Sequence, residues 1–379
     1  MNRRKLLVTA WLVSLAAMAL VAIGCGSDSK SSSTAASTAA SAASSPAWLT
    51  DAQASAAKST AVPAKIPSTS LGTFTPKSSG TIYHVACNLA LEGCSKIANA
   101  IKSGTQALGY KFEQCDGGTT ADKIGACFTN AINAKPDAIV VNGIGADAAA
   151  DSFAKVAAAK IPLVGSFTGD KVPTKNVTTE IGGDSCTLGA QHLADWIVAD
   201  SKGKANVLFV GTKTYACNIQ REAGFTSQLQ KCTSCKVKSL PFAIDAVQSQ
   251  LPQQLQSAIQ NNPDVTYIVG TFDAVALAAT DAIRQAGKAD SIKVAGFDGD
   301  APNLALIAKG DIQVADDTTG SQEPGWAAAD ASARAMTGAQ LPPSIPLTDV
   351  VIDKTNAAQI GVYKGATDFQ TQFQQLWGK

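Results

Sequence analysis

Val294-Ala295-Gly296-Phe297-Asp298-Gly299-Asp300 is a short apolar run that ends in an aromatic and an acidic residue held between glycines. A run of this kind reads as a buried strand. In an open α/β sheet the carboxyl ends of the strands line the crevice where ligands bind, which would aim Phe297 and Asp298 at that crevice. A ring covers apolar C–H surface while a carboxylate accepts hydrogen bonds from hydroxyls, so the pair suits a polyhydroxylated ligand. The plainer reading of the heptapeptide alone is a Gly-Asp turn after a buried strand. What lies around it decides between the two.

Outward from this stretch, short apolar runs alternate with segments of helical period. Thr81 to Cys87, Lys111 to Cys115, Asp137 to Asn142 and Ile161 to Ser166 read as strands. Between them, Ile97, Ile101, Thr105 and Leu108 form one helical stripe, Ile124, Phe128 and Ile132 another, and Ala146 to Lys160 a third helix. The alternation pauses over Asn176 to Asp184 and restarts with a helix from Cys186 to Asp200. Strands follow at Ala205 to Gly211, Lys236 to Leu240, Val265 to Gly270 and Ile292 to Phe297, with helices between them. Repeated βα units call for parallel sheets covered on both faces. The fold class is therefore α/β, with two doubly wound parallel-sheet lobes and a ligand cleft between them.

The chain has 379 residues, enough for two domains. It starts with Asn2-Arg3-Arg4-Lys5, an apolar run from Leu6 to Ile23, and Ala22-Ile23-Gly24-Cys25. This is the pattern of a secretory signal over residues 1–24, and its end resembles a bacterial lipobox, which implies a lipid on Cys25. The alternative is a plain membrane anchor, for which the apolar run is barely long enough. Both readings put the rest of the chain outside the cytoplasm. Residues 25–79 are rich in Ser, Ala and Thr and read as a tether, in which Ala47-Trp48-Leu49-Thr50-Asp51 starts a short helix able to dock on the folded body.

Of nine cysteines, eight remain once Cys25 is set aside, an even number for an oxidising compartment. Their spacings suggest the pairs Cys87–Cys94, Cys115–Cys127, Cys186–Cys217 and Cys232–Cys235, although spacing alone does not fix connectivity. Cys232-Thr-Ser-Cys235 also has redox-motif spacing, but it precedes a strand instead of opening a helix.

The formal net charge is +1 with no charged block, which speaks against nucleic acid as a partner. Only His84 and His192 offer imidazole, and both read as packed or structural residues, so neither histidine catalysis nor a metal site is expected. No nucleophile elbow, zinc-protease motif or readable carboxylate pair is present. Gly143-Ile144-Gly145-Ala146-Asp147-Ala148 has the form of a dinucleotide fingerprint, but it follows the third strand instead of the first. An ordinary helix start explains it, and no cofactor is expected.

Several short segments recur in a known order: Leu108-Gly109-Tyr110, Lys135-Pro136-Asp137-Ala138-Ile139-Val140-Val141, Lys160-Ile161-Pro162-Leu163-Val164, Arg221-Glu222-Ala223-Gly224-Phe225, Asp273-Ala274-Val275-Ala276-Leu277, Gln285-Ala286-Gly287 and Gly296-Phe297-Asp298-Gly299. With these anchors the chain from about Gly80 to Asp353 resembles the type I periplasmic binding proteins of bacterial ABC importers, in the ribose/galactose-binding branch. The resemblance implies a receptor and not an enzyme, with no cofactor. Its expected partners are a small-molecule ligand and an ABC permease with its ATPase, its only membrane contact is the lipid anchor, and it is a monomer.

The family's topology implies three chain crossings, near Thr179 to Ser185, Asp316 to Glu323 and Leu347 to Asp353. One lobe would then comprise 80–184 with 324–350, the other 185–323 with 351–379. Carried over residue by residue, the sugar-hydroxyl contacts fall on Arg221 and Asp298, with Phe297 in the wall. Asp184 at the first crossing and Gln322 or Glu323 before Pro324-Gly325-Trp326 stand near further polar contacts. The departures are as informative. Where the sugar binders carry two stacking aromatics, this chain has Leu91-Glu92-Gly93-Cys94, and Phe167 and Phe272 replace polar positions. Glu92, Phe167, Tyr215 and Phe272 would then shape a different pocket. A sugar or related polyol is the expected ligand, a less polar aromatic-type molecule the alternative, and a ligand-sensing receptor for a signalling partner the alternative to import.

Overall fold

The computed structural model describes residues 45–169 and 175–379, so the signal segment 1–24, Cys25 and the tether up to residue 44 lie outside the described residues. Helix α1 (Ala47–Ser59) and a 3-10 turn (Pro67–Leu71) come first. A first α/β series follows: β1 (Thr81–Ala86), α2 (Glu92–Leu108), β2 (Lys111–Asp116), α3 (Ala121–Ala134), β3 (Ala138–Asn142), α4 (Ala146–Ala158), β4 (Leu163–Ser166) and β5 (Thr179–Ile181). The second runs α5 (Ser185–Asp200), β6 (Asn206–Gly211), α6 (Ala216–Leu229), β7 (Lys236–Pro241), α7 (Leu251–Asn261), β8 (Tyr267–Gly270), α8 (Asp273–Gln285), β9 (Lys293–Phe297), α9 (Ala301–Lys309) and β10 (Gln313–Thr318). After α10 (Glu323–Met336) come β11 (Ser344–Ile345), β12 (Val350–Asp353), α11 (Ala357–Ile360) and α12 (Phe369–Leu376).

The strands form two sheets, ordered β11-β5-β4-β3-β1-β2 and β12-β10-β9-β8-β6-β7. Every pairing in the first is parallel, and in the second only β12 is antiparallel, against β10. Parallel strands are covered on both faces and so read as continuous apolar runs. β3, with all five residues buried, is such a strand. On one face of the first sheet Ile82, Val140 and Val164 pack against Ile97 and Ile101 of α2 and Trp326 of α10. On the other face, Val85 and Val141 meet Phe128 and Phe153. The second sheet is covered in the same way, with Phe209 under Phe225 on one face and Leu208 and Ile268 under α7 and α8 on the other.

Chain crossings between the lobes lie between β5 and α5, between β10 and α10, and between β11 and β12. One side chain ties the last two to a further passage. Glu323, 1 % exposed, accepts from the Thr348 hydroxyl at 2.7 Å and from the Ala366 N–H at 2.7 Å. Gly365 is required beside it, because a Cβ there would lie 2.5 Å from the Glu323 Cβ and the residue has φ +146°.

Two expectations from the sequence are corrected. The segment 351–379 does not stay with the second lobe: after β12 and α11 the chain returns, and Phe369, Phe373 and Trp377 join the first lobe's core. The reason is aromatic packing, with the Trp377 and Trp326 rings stacked at 5.5 Å. Nor is the tether loose beyond the helix that was expected to dock. Ala52 of α1 is buried with Trp48 and Leu49 against α5 of the second lobe. Ile66, 1 % exposed, is then buried in the first lobe. There Arg334 donates to the Leu71 and Gly72 carbonyls and lies over the Phe74 ring at 4.2 Å. The stretch is a strap joining both lobes.

His84 on β1 is fully buried with both ring nitrogens unpartnered, and burial pushes its pKa down to about 3. The folded chain refuses a proton that the unfolded chain accepts below about pH 6.5, so stability present above that pH is lost as pH falls toward 3. At pH 5 the loss is about 2 kcal/mol, and denaturant titrations of His84→Leu should show a shallower decline between pH 7 and 5 than the parent. Glu323→Gln turns one acceptor into a donor that faces donors. It should cost about 1–3 kcal/mol and speed amide exchange at Thr348 and Ala366 above that of the sheets.

Candidate functional site

The carboxyl ends of β1, β3 and β4 in the first lobe face those of β6, β8 and β9 in the second, and a cavity of ≈ 240 Å³ lies between them. Leu91, Glu92, Lys96 and Phe167 line it from one side, Tyr215, Arg221, Phe272 and Asp298 from the other, and Thr319 to Ser321 of the second crossing close the back. A cavity of this size takes a small metabolite.

Asp298 follows β9 with φ +103°, and Phe167 follows β4 with φ +52°. Both are conformations that side chains other than glycine adopt at a cost, and such strain gathers at ligand clamps. The loop of Asp298 is held from beneath by buried acids. Asp316 accepts from the Gly299 N–H at 2.9 Å and Asp273 from the Asp300 N–H at 2.6 Å. Gly296 makes room for them, since a Cβ there would meet Asp273 Oδ1 at 2.7 Å and Asp316 Oδ2 at 2.9 Å. Burial pushes Asp316 up to about 7 against the hydrogen bonds of Asp273 and the Gly299 N–H, and burial with the charge of Asp316 pushes Asp273 well above the usual carboxylate range. Burial therefore favours the neutral form of both acids, which eases their mutual repulsion.

Arg221 of α6 donates to Asp298 Oδ1 at 2.6 Å and to the Thr271 carbonyl at 2.9 Å. Its guanidinium lies over the Phe297 ring, 4.7 Å from the centroid. A flat, fully charged group held on three sides is fixed in direction and can present its remaining hydrogens to a ligand. Across the cleft, Lys96 of α2 reaches the second lobe, donating to the Asp298 carbonyl at 2.9 Å and forming an ion pair with Asp300. Burial lowers the Lys96 pKa, but Asp300 and Asp298 outweigh it and keep the ammonium charged. Burial, then the charge of Asp298, pushes Asp300 up to about 6 against the pull of Lys96. Gln220 of the second lobe also donates to the Gly169 carbonyl of the first, at 2.7 Å. These contacts hold the lobes closed. Two buried polar atoms in the lining, the Tyr215 hydroxyl and Asn303 Oδ1, have no hydrogen-bond partner.

Of the residues singled out from sequence, the structure brings Asp298, Arg221, Phe167, Tyr215, Phe272 and Glu92 to the cavity. Four others stand elsewhere. Phe297, 0 % exposed, is the last residue of β9, and strand alternation turns its ring into the core under Arg221. Asp184 is exposed at the start of α5. Glu323 is committed to Thr348 and Ala366, and Gln322 is the residue before α10, outside the lining. Lys96, Asp300 and Asn303 were missed. Lys96 is four residues after Glu92, on the same helical face, and that spacing was the available signal.

The structure bonds Cys87 to Cys94, Cys115 to Cys127, Cys186 to Cys217 and Cys232 to Cys235. Cys87, Cys94 and Cys217 belong to the cavity wall. Cys232–Cys235 closes the turn before β7 and has no part in the site. Gly143 touches the cavity, while Gly145 caps an ordinary helix. Among the described residues no helix is long and apolar enough to cross a membrane.

Residues 74–340 match the family model of the periplasmic binding protein domain. The D-apiose import binding protein of Actinobacillus succinogenes is 25% identical over 277 residues, 70% of this chain and 86% of that protein. The ribose import binding protein of Salmonella typhimurium is 27% identical over 176 residues, 46% of this chain and 57% of that one. Among solved structures, an ABC transporter solute-binding protein from Agrobacterium vitis with bound allitol aligns with TM-score 0.67 and 22% identity, over 74% of this chain and 98% of its own. The 5-methylthioribose transporter solute-binding protein of Thermotoga lettingae aligns with TM-score 0.69 and 18% identity, over 81% and 96%. Members of this family are extracytoplasmic solute receptors of ABC transporters, not enzymes. With two parallel-sheet lobes closed on a charged cavity and a family match over most of its folded part, this chain belongs to the periplasmic binding proteins and has their type I fold.

Proposed function

We propose that this chain captures one small polyol, a sugar or sugar alcohol with an apolar face or substituent, between its lobes and delivers it to the permease of an ABC importer. The observation that carries this reading is the pairing of Arg221 with Asp298 in an interlobe cavity where the Tyr215 hydroxyl and Asn303 Oδ1 lack partners. A polyol offers donors and acceptors on adjacent carbons, which such groups hold from two sides. Phe167, Phe272, Leu91, Leu277 and Pro302 supply more apolar wall than a fully hydroxylated sugar needs. The relatives support the class: two are import binding proteins for D-apiose and ribose, and structural neighbours hold allitol and 5-methylthioribose.

Ligand that touches both lobes stabilises the closed form, and the closed form is what the permease reads, with uptake driven by its ATPase. In this reading the chain is a monomer carried on a lipid at Cys25 after removal of residues 1–24, outside the cytoplasm. Mass analysis of the chain from membranes tests the anchor: a diacylated amino-terminal Cys25 supports it, and an intact residue 1 does not.

A thermal-shift panel of pentoses, alditols, inositols and thio-substituted pentoses should find one class that raises the melting temperature. Ligand at a hundredfold its Kd adds about 2.7 kcal/mol. Arg221→Ala and Asp298→Ala each leave a partner unpaired, so each should be less stable than the parent without ligand by about 1–3 kcal/mol and melt at a lower temperature. Each should also lose the ligand-induced rise relative to its own baseline, and a full rise in both would show that the ligand sits elsewhere. Lys96→Met removes the ion pair across the cleft. Its ligand-free radius of gyration by small-angle scattering should exceed the parent's, and equal radii would mean that the pair does not hold the lobes.

A further inference from the structure

On the second-lobe side of the crossings, three side chains from distant parts of the chain converge. His192 of α5, Asp317 of β10 and Asp349 of the third crossing each offer one ligand-type atom, and these atoms all lie within 4.8 Å of one another. His192 Nδ1 is 2.5 Å from Asp349 Oδ2. Asp317 is 4 % exposed, and its Oδ2 has no hydrogen-bond partner. The helix opposite is built to admit that carboxylate: at Gly189 of α5 a Cβ would lie 2.0 Å from Asp317 Oδ1. Any larger residue there would push the acid out.

Two carboxylates side by side in a protected place repel unless a proton or a cation joins them, and the cationic group in contact with this pair is His192, which meets Asp349 and leaves Asp317 Oδ2 without a partner. Arg221 and Lys58 act on the cluster from beyond ion-pair distance. Arg221 is also committed to Asp298 and the Thr271 carbonyl. We propose that His192, Asp317 and Asp349 form a binding site for one divalent transition-metal ion of the Zn2+ class. One imidazole nitrogen and two carboxylate oxygens, with water in the fourth position, are a normal ligand set for that ion. Calcium and magnesium prefer more oxygens and no nitrogen. Ligands bound at roughly 2.0–2.1 Å stand about 3.3 Å apart around a tetrahedral ion, so the His192–Asp349 contact must open slightly to admit it. The side chains of His192 and Asp349 are 33 % and 18 % exposed, which leaves the ion a route from solvent.

The position gives the ion a consequence. Asp349 follows Thr348, which is bonded to Glu323 of the first lobe, and precedes β12 of the second. An ion there ties the third crossing to α5 and β10 and stiffens the hinge on one side. Sequence gave no warning, because the three ligands are 125 and 32 residues apart and no spacing motif joins them. The site does not depend on what the cleft binds.

The test is calorimetric titration of the purified full chain, freed of metal with a chelator, with zinc chloride alone. One Zn2+ per chain with a raised melting temperature is expected, and His192→Gln and Asp317→Asn should each weaken uptake by about tenfold or more. X-ray absorption on the unaltered chain gives a readout that does not depend on the variants folding. It should show a nitrogen and oxygen shell with imidazole scattering. No uptake, uptake unchanged in both variants, or a sulfur shell would each overturn the proposal.

Discussion

A single buried carboxylate sets how the two lobes of this chain can move. Glu323 accepts hydrogen bonds from Thr348 and Ala366, groups on two other passages between the lobes, while itself standing at the end of the second crossing. In a setting nearly free of water these bonds are electrostatically strong, and any rearrangement that broke them would leave a buried acceptor unpaired. Because both sheets turn their carboxyl ends toward the crossings, rotation there opens or shuts the cavity directly.

Charge, not shape alone, organises the binding surface. Asp273, Asp298, Asp300 and Asp316 lie in one neighbourhood of the second lobe, and what prevents mutual repulsion is a division of roles. The two deepest acids, raised by burial, accept from the Gly299 and Asp300 N–H groups and brace the loop, one outer acid pairs with Arg221, and the other pairs with Lys96 from the opposite lobe. Closure thus completes an electrostatic set that the second lobe alone leaves unbalanced. A ligand entering the cavity competes or cooperates with Lys96 for the same carboxylates.

Much of this was legible in the sequence, and what was not has a common cause. The apolar runs and helical stripes gave the strand and helix order because parallel strands buried on both faces leave a continuous signal, as β3 and β9 do. Asp298 was read from its own heptapeptide and Arg221 was carried over from the family resemblance, and both line the cavity. Phe297 was misplaced because its direction depends on the strand's alternation at its last residue, and Glu323 because its partners lie 25 and 43 residues away. Lys96 shares a helical face with Glu92, but its partners Asp298 and Asp300 stand on the other lobe, and the His192 cluster joins three distant segments, which no local pattern records. The helix from Ala47 that docks on the body was expected, but the return of α12 to the first lobe and the docking of residues 60–72 were hidden for a different reason. Small and polar residues dominate both stretches, and only a few anchors, Trp377, Ile66 and Trp48 among them, carry the packing.

The strap at the start of the folded chain has a mechanical meaning. Its helix is seated on one jaw at Ser59, and its next buried residue, Ile66, is seated on the other. The seven Cα steps between them can stretch to roughly 25 Å and no farther. The gape of the receptor is therefore leashed: however weak the grip between the jaws becomes, they swing apart only until this cord is taut. A shorter stroke leaves less disorder to overcome when the jaws meet again.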